Sequence, residues 1–128
     1  MRIDNILSLV SPPDISIQKP IDWKMVETSI GLILPSDYKN ILDVYGCGIW
    51  AEWIILYFPS YPVHAYDLNR APKAILEGER EFLLELSPDE RIREFPYSLF
   101  PEKDGLFPFG VTVQSDRLYW QTSGMPDE

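Results

Sequence analysis

Cysteine and histidine are nearly absent: the 128-residue chain has one of each, Cys47 and His64. A single thiol excludes an internal disulfide and any cysteine-based zinc cluster, so packing alone must hold the fold. One imidazole without a second histidine or a cysteine pair does not build a common zinc site, and His64, between Pro62-Val63 and Ala65-Tyr66, reads as a loop residue. No metal and no cofactor are expected. Long apolar runs are missing too. None approaches the roughly 20 residues that span a bilayer, and Asp4 interrupts the stretch where a signal peptide would need apolar residues. The expected location is therefore cytoplasmic, without membrane contact. Basic residues are scarce, with 11 Lys and Arg against 20 Asp and Glu and a net charge of −9. This argues against direct nucleic-acid binding, because phosphate contacts require clustered Lys and Arg. The acidity suits a basic partner, and it serves solubility equally well.

What is present is a core-forming chain: 45% of the residues are hydrophobic and 13% aromatic, which suits one domain with a single core. Ile3, Ile6, Leu7 and Val10 recur at helical spacing up to Ser11-Pro12-Pro13, where proline disfavours helix in the residue before it. Residues 1–20 thus read as an N-terminal helix and connector. Asp22, an N-cap residue type, opens a second helix that buries Trp23, Val26 and Ile30 and ends at Gly31. A third helix follows Pro35-Ser36, with Tyr38, Ile41, Leu42 and Tyr45 on its buried face and Asp37 as a first-turn acid that favours stability. Gly46 supplies a left-handed cap, and Gly48 gives the backbone room to reverse. The order helix, glycines, strand is the reverse of a phosphate loop, which needs a helix N-terminus facing the anion. Cys47 between these glycines reads as a small turn-flanking residue rather than a nucleophile.

Residues 49–58 are aromatic and β-branched and predict one strand with both faces largely covered. Glu52 interrupts it, either at a frayed strand end or as a charge presented to a partner. Beyond the 59–62 turn, Ile75, Leu76, Phe82, Leu83 and Leu86 trace a longer helix from about Pro72 to Ser87-Pro88. On its outer face Glu77, Glu81 and Glu85 stack at i+4 intervals, each like-charged pair costing about 0.2–0.5 kcal/mol, with Arg80 relieving Glu77 in part. A solvated face usually mixes signs, so this stripe is the best candidate for a partner-facing surface; an ordinary acidic helix is the alternative. Residues 95–100, 106–113 and 117–122 then complete an antiparallel sheet, and the fold class is α+β.

No Gly-x-Ser-x-Gly nucleophile elbow occurs, and no two of the 20 acids stand out as a catalytic pair, so no catalytic residues are assigned and no enzyme is expected.

Two signatures carry a resemblance. One is Leu34-Pro35-Ser36-Asp37-Tyr38-Lys39 followed by Tyr45-Gly46-Cys47-Gly48. The other is the hairpin pattern Leu106-Phe-Pro-Phe-Gly-Val-Thr-Val-Gln-Ser-Asp-Arg-Leu-Tyr-Trp-Gln-Thr-Ser-Gly124. In this order they resemble the SUKH (Smi/Knr-like) superfamily over roughly residues 23–124. Two departures stand out: Phe109-Gly110 replaces the usual Trp-Gly, and Gln114-Ser115-Asp116 replaces Asn-Gly-Asp. A Gln-Ser pair does not favour the mirror-image two-residue turn, so the hairpin must bend by another route or carry an extra residue, and its register is open by about one residue.

The resemblance implies a single SUKH-like domain over residues 1–128. The family's further strand and helix beyond this point are absent, so the expectation is a shortened C-terminus. It implies an immunity protein that binds and neutralises a cognate bacterial polymorphic toxin, basic and of nuclease type, or alternatively a regulatory scaffold of the same superfamily without a toxin partner. Trp50, Glu52, Glu77, Glu81 and Glu85 are the candidate partner-binding residues, a few aromatic anchors in an acidic surround.

Overall fold

The computed structural model describes residues 3–11 and 20–127, and the predicted connector therefore lies mostly outside the described residues. Helices α1 (Ile3–Leu7), α2 (Trp23–Ile30) and α3 (Ser36–Tyr45) precede strands β1 (Ile49–Trp50) and β2 (Ile54–Leu56). A 3-10 turn at His64–Tyr66 leads to α4 (Ala71–Leu84) and α5 (Pro88–Glu94), and the hairpin β3 (Leu106–Thr112) and β4 (Arg117–Gln121) follows. The sheet runs β1-β2-β3-β4 with every neighbouring pair antiparallel, and the fold is α+β as the pattern predicts.

The helix boundaries follow local chemistry. The Asp22 carboxylate accepts the Met25 N–H at 3.1 Å, and Gly31 closes α2 at φ 81°. Pro72 sits in the first turn of α4, where its missing N–H has no intrahelical partner in any case. Gly46 ends α3 at φ 71° and ψ −158°, positive in φ as expected but extended in ψ. Gly48 has open space where a side chain would stand, so no close approach demands it.

Three predicted elements differ. The single strand over 49–58 is a hairpin instead, because Ala51 and Glu52 take φ of 52° and 57° and the Trp53 N–H donates back to the Trp50 carbonyl. Apolar content cannot distinguish one buried strand from two short ones joined by a turn that lacks the usual Gly or Asn. Residues 95–100 form no strand; Leu99 makes only an isolated bridge to Leu106. Ser87-Pro88 ends α4 and also starts α5: Ser87 Oγ accepts the Glu90 N–H while the Glu90 carboxylate accepts the Ser87 N–H, a reciprocal capping box that marks a helix start in the sequence itself.

The β3–β4 turn does carry an extra residue. Thr112 and Asp116 close a loop over 113–115, with Ser115 at φ 71°, and Thr112 Oγ1 accepts the N–H groups of Gln114 and Asp116 at 3.3 and 3.1 Å. A turn followed by a left-handed residue is the three-residue solution for a hairpin without Asn-Gly. One further residue is absorbed by a bulge between Pro108 and Gly110. Gly110 is required there, since a Cβ would stand 2.8 Å from the Ile55 carbonyl oxygen of β2.

The main core gathers Val26, Leu34, Tyr38, Leu42, Tyr57, Leu68, Ala71 and Phe107, and a second cluster of Leu76, Leu83 and Leu99 lies under α4. At its centre the buried Tyr38 meets Trp23, Phe109 and Trp120 edge-on at centroid separations of 6.2, 6.2 and 5.3 Å, and its hydroxyl donates to the Tyr57 carbonyl at 2.5 Å. Asp67, also buried, accepts the N–H groups of Tyr61 and Asn69 and pairs with Arg70, whose guanidinium also donates to the Tyr61 carbonyl. This network shapes the loop between the sheet and α4 and satisfies a carboxylate that would be costly to bury unpaired.

Replacing Tyr38 by Phe keeps the ring contacts and removes the bond to the Tyr57 carbonyl; the expected cost is about 1–2 kcal/mol, seen as a lower urea midpoint. Burial pushes the Tyr38 hydroxyl far above its ordinary range and Tyr57 up to about 12, both favouring the neutral phenol in the fold. The corresponding stability is complete below the unfolded tyrosine value of about 10 and is lost as pH rises beyond it. Urea midpoints between pH 8 and 11.5 are expected to fall less steeply for Tyr38→Phe/Tyr57→Phe than for the parent.

Candidate interaction surface

Helix α4 buries one side, where Ala71, Pro72, Leu76 and Leu83 recur at spacings that keep them on a single face. The opposite side holds Glu77 and Glu81, both exposed, and Glu85 caps the last turn in continuation of the same row. None of the three carboxylates has a hydrogen-bond or ion-pair partner among the described residues. Arg80, expected to relieve Glu77, points elsewhere: its guanidinium donates to the Phe100 carbonyl. The acid that is paired is Glu79, which meets Arg117 of β4. Glu85 also lies at the negative end of the helix dipole, an unfavourable place for an acid.

Two apolar side chains flank this row. Phe82 is 53% exposed and Leu84 84% exposed; two residues apart on the helix, they project on opposite sides of the row of carboxylates. The sequence pattern assigns Phe82 to the buried face. In the structure, Leu76 and Leu83 lie seven residues apart and own that face, which rotates Phe82 and Leu84 out of it. Counting strictly from the Leu76–Leu83 pair is the signal that separates them.

Trp50 and Glu52 sit elsewhere, at the β1–β2 hairpin. Trp50 is half-buried and packs edge-on against Tyr45 at 4.8 Å, which makes it a support for α3. Glu52 is exposed at the hairpin tip in a left-handed conformation, flanked by Ile49 and Trp53, 58% and 40% exposed. Among the described residues no hydrogen bond, ion pair or ring contact joins this tip to α4. The five candidate residues therefore form two groups, an acidic-apolar helix face and a strained hairpin tip.

A concavity of about 850 Å³ lies between α1, the start of α3 and the β4 edge, with Tyr38, Phe109 and Trp120 in its lining. Cys47 and His64 are exposed and lie outside this groove. Among the described residues no group of three or more His, Cys, Asp or Glu side chains is placed to hold a metal, and no helix is long and apolar enough to cross a membrane. Comparison with family models, with curated proteins and with solved structures finds no match to this chain.

Left-handed backbone costs about 1–2 kcal/mol at a non-glycine residue, part of which a glycine forfeits through its freer unfolded chain. Glu52→Gly is expected to stabilise the protein by about 0.5–1 kcal/mol in urea unfolding; a loss of stability would mean that the Glu52 side chain contributes to the fold.

Proposed function

We propose that this protein is a binding protein of the immunity type, which recognises a basic partner through the outer face of α4 and neutralises it by covering its working surface. The observation that carries this reading is the exposure of Phe82 and Leu84 beside the row of Glu77, Glu81 and Glu85, whose carboxylates have no hydrogen-bond or ion-pair partner among the described residues. Exposed apolar groups beside a row of like charge match the composition of an interface, where a few apolar anchors hold and the surrounding charge steers. A toxin that acts on nucleic acid needs cationic groups for phosphate, and an acidic inhibitor is drawn to those groups and competes with the substrate for them. The ordering of Leu34-Pro35-Ser36-Asp37-Tyr38-Lys39, Tyr45-Gly46-Cys47-Gly48 and Leu118-Tyr119-Trp120, which resembles the SUKH superfamily, supports the same role. A cytoplasmic location and the absence of catalysis belong to this proposal.

The test is affinity capture from lysate of the source cells at two salt concentrations, followed by kinetics with the captured chain. A stoichiometric basic toxin domain whose nuclease activity is blocked is the expected result. Glu77→Lys/Glu81→Lys/Glu85→Lys is expected to slow association at least tenfold and flatten its salt dependence, whereas Phe82→Ala/Leu84→Ala acts mainly on dissociation. Unchanged rates for both variants would remove α4 from the interface; capture of no basic partner would favour a scaffold role.

A further inference from the structure

Strand β4 forms one edge of the sheet; the other edge, β1, has only two residues. Which backbone groups of β4 face outward follows from its partner strand. Leu106, opposite Gln121, donates its N–H to the Ser98 carbonyl and accepts the Phe100 N–H, so neither of its backbone groups turns toward β4. Leu106 and Gln121 are therefore a pair without mutual hydrogen bonds. Alternation along an antiparallel ladder gives the same character to Pro108 and Tyr119, where proline has no N–H to offer. The N–H and carbonyl groups of Tyr119 and Gln121 thus point away from β3 into the open edge, and among the described residues nothing outside the sheet bonds to them. Proteins commonly blunt such an edge with lysine or proline. Arg117-Leu-Tyr-Trp-Gln121 has neither, and its one charge is committed to Glu79.

The 850 Å³ groove lies along this edge, and Tyr38, Ile41, Phe109 and Trp120 give it an apolar lining. Its charged lining has one sign: Asp4, Asp37 and Asp127, with no Lys, Arg or His. Asp127 accepts from Ser36 and Asp37 accepts the Tyr38 N–H, bonds to neutral groups that leave both charges in place. Lys39, next to Tyr38 in the chain, is paired with Glu27. No residue of α4 lines the groove, so it is a surface apart from the carboxylate row.

We propose that this groove is a strand-addition site, in which a cationic, extended peptide segment of another protein pairs with β4 as a fifth strand. Its backbone bonds the outward groups of Tyr119 and Gln121, the geometry by which an open edge takes a peptide. A side chain opposite Trp120 stands on the same face of the sheet and rests on the aromatic lining, and neighbouring Lys or Arg side chains meet Asp4 and Asp37. Main-chain bonds supply affinity without regard to sequence, whereas the carboxylates and the aromatic lining supply selection. A second copy of this chain fits poorly, because at a net charge of −9 it brings carboxylates to carboxylates.

The test is a nuclear magnetic resonance titration of the isotope-labelled full chain with a capped nine-residue peptide of alternating Lys and Val carrying Phe at its centre. Shifts are expected in residues 118–121 and not in α4, and the Tyr119 and Gln121 amides are expected to exchange about tenfold more slowly at saturation. A peptide with Pro in place of the two central Val residues loses strand donors and is expected to bind about tenfold more weakly. A peptide with Glu in place of Lys is expected not to bind. On the protein side, Asp4→Asn/Asp37→Asn is expected to weaken binding about three- to tenfold. Gln121→Pro removes an outward N–H and no bond to β3, and is expected to weaken binding by about the same factor; if its own spectrum shows that the β3–β4 hairpin is lost, the proline peptide carries this arm. Absence of shifts at β4 at millimolar peptide, or equal binding of the proline peptide, would overturn strand addition. Equal binding of the Glu peptide would overturn the cationic occupant, and protection of Tyr119 and Gln121 that grows with protein concentration alone would assign the edge to a second copy instead.

Discussion

The phenol of Tyr38 is the point through which the elements of this fold are coupled. Its ring lies edge-on to Trp23 of α2, Phe109 of β3 and Trp120 of β4, and its hydroxyl binds the carbonyl of Tyr57, just beyond β2. One side chain of α3 thereby sets the distance of the helices from three strands or their ends. Phe109 and Trp120 stack at 4.6 Å and Phe107 joins Trp120 at 5.7 Å, so the aromatic cluster continues along the β3–β4 hairpin. Aromatic pairs of this kind add roughly 0.5–1.5 kcal/mol beyond their buried area, and with no disulfide available such packing must hold the domain. The Glu27 carboxylate adds a polar tie, accepting the Leu34 N–H at 2.6 Å and Lys39 at 3.3 Å, which fixes the passage from α2 to α3.

Against that interior, the outer side of α4 contributes nothing visible to stability and subtracts from it. Adjacent carboxylates repel, Glu85 opposes the helix dipole, and Phe82 and Leu84 remain in water. Elsewhere the same protein places its charges economically: the Asp67 carboxylate serves three groups in the loop before α4, and Glu79 reaches Arg117 across to β4. The contrast on one helix, between a paired Glu79 and three neighbours without a partner among the described residues, is what gives the proposed interface its physical content. The hairpin tip is a second, separate surface, where two consecutive left-handed residues are held although neither is glycine.

Much of this was legible before any coordinates. The Asp22 cap, the Gly31 stop, the buried face of α3 and the start of α4 near Pro72 follow from side-chain chemistry acting within one or two turns. The three-residue β3–β4 loop was legible as a departure from Asn-Gly. The break at Ala51–Glu52 was not, because no local residue asks for a left-handed turn; it arises from β2 pairing with β3 through Ile54, Ile55 and Leu56 while β1 folds back to pair with Ile54 and Ile55. Helix α5 was legible in Ser87-Pro88-Asp89-Glu90 as a capping box and was masked by the reading of Ser87-Pro88 as a stop alone.

By itself, then, the sequence determined composition-level facts and local starts and stops: a packed α+β domain without disulfides, its acidic balance, and the carboxylate row on α4. Tertiary structure decided which faces those elements turn outward. Phe82 lies outside because Leu76 and Leu83 are claimed by Leu99 and its neighbours, and Arg80 leaves Glu77 alone because the Phe100 carbonyl is within its reach. Asp127 caps α3 because the chain after β4 happens to return there, a contact across 91 residues. Periodicity and capping act over a few residues, whereas competition for a buried face or a distant donor is settled only when the whole chain is folded.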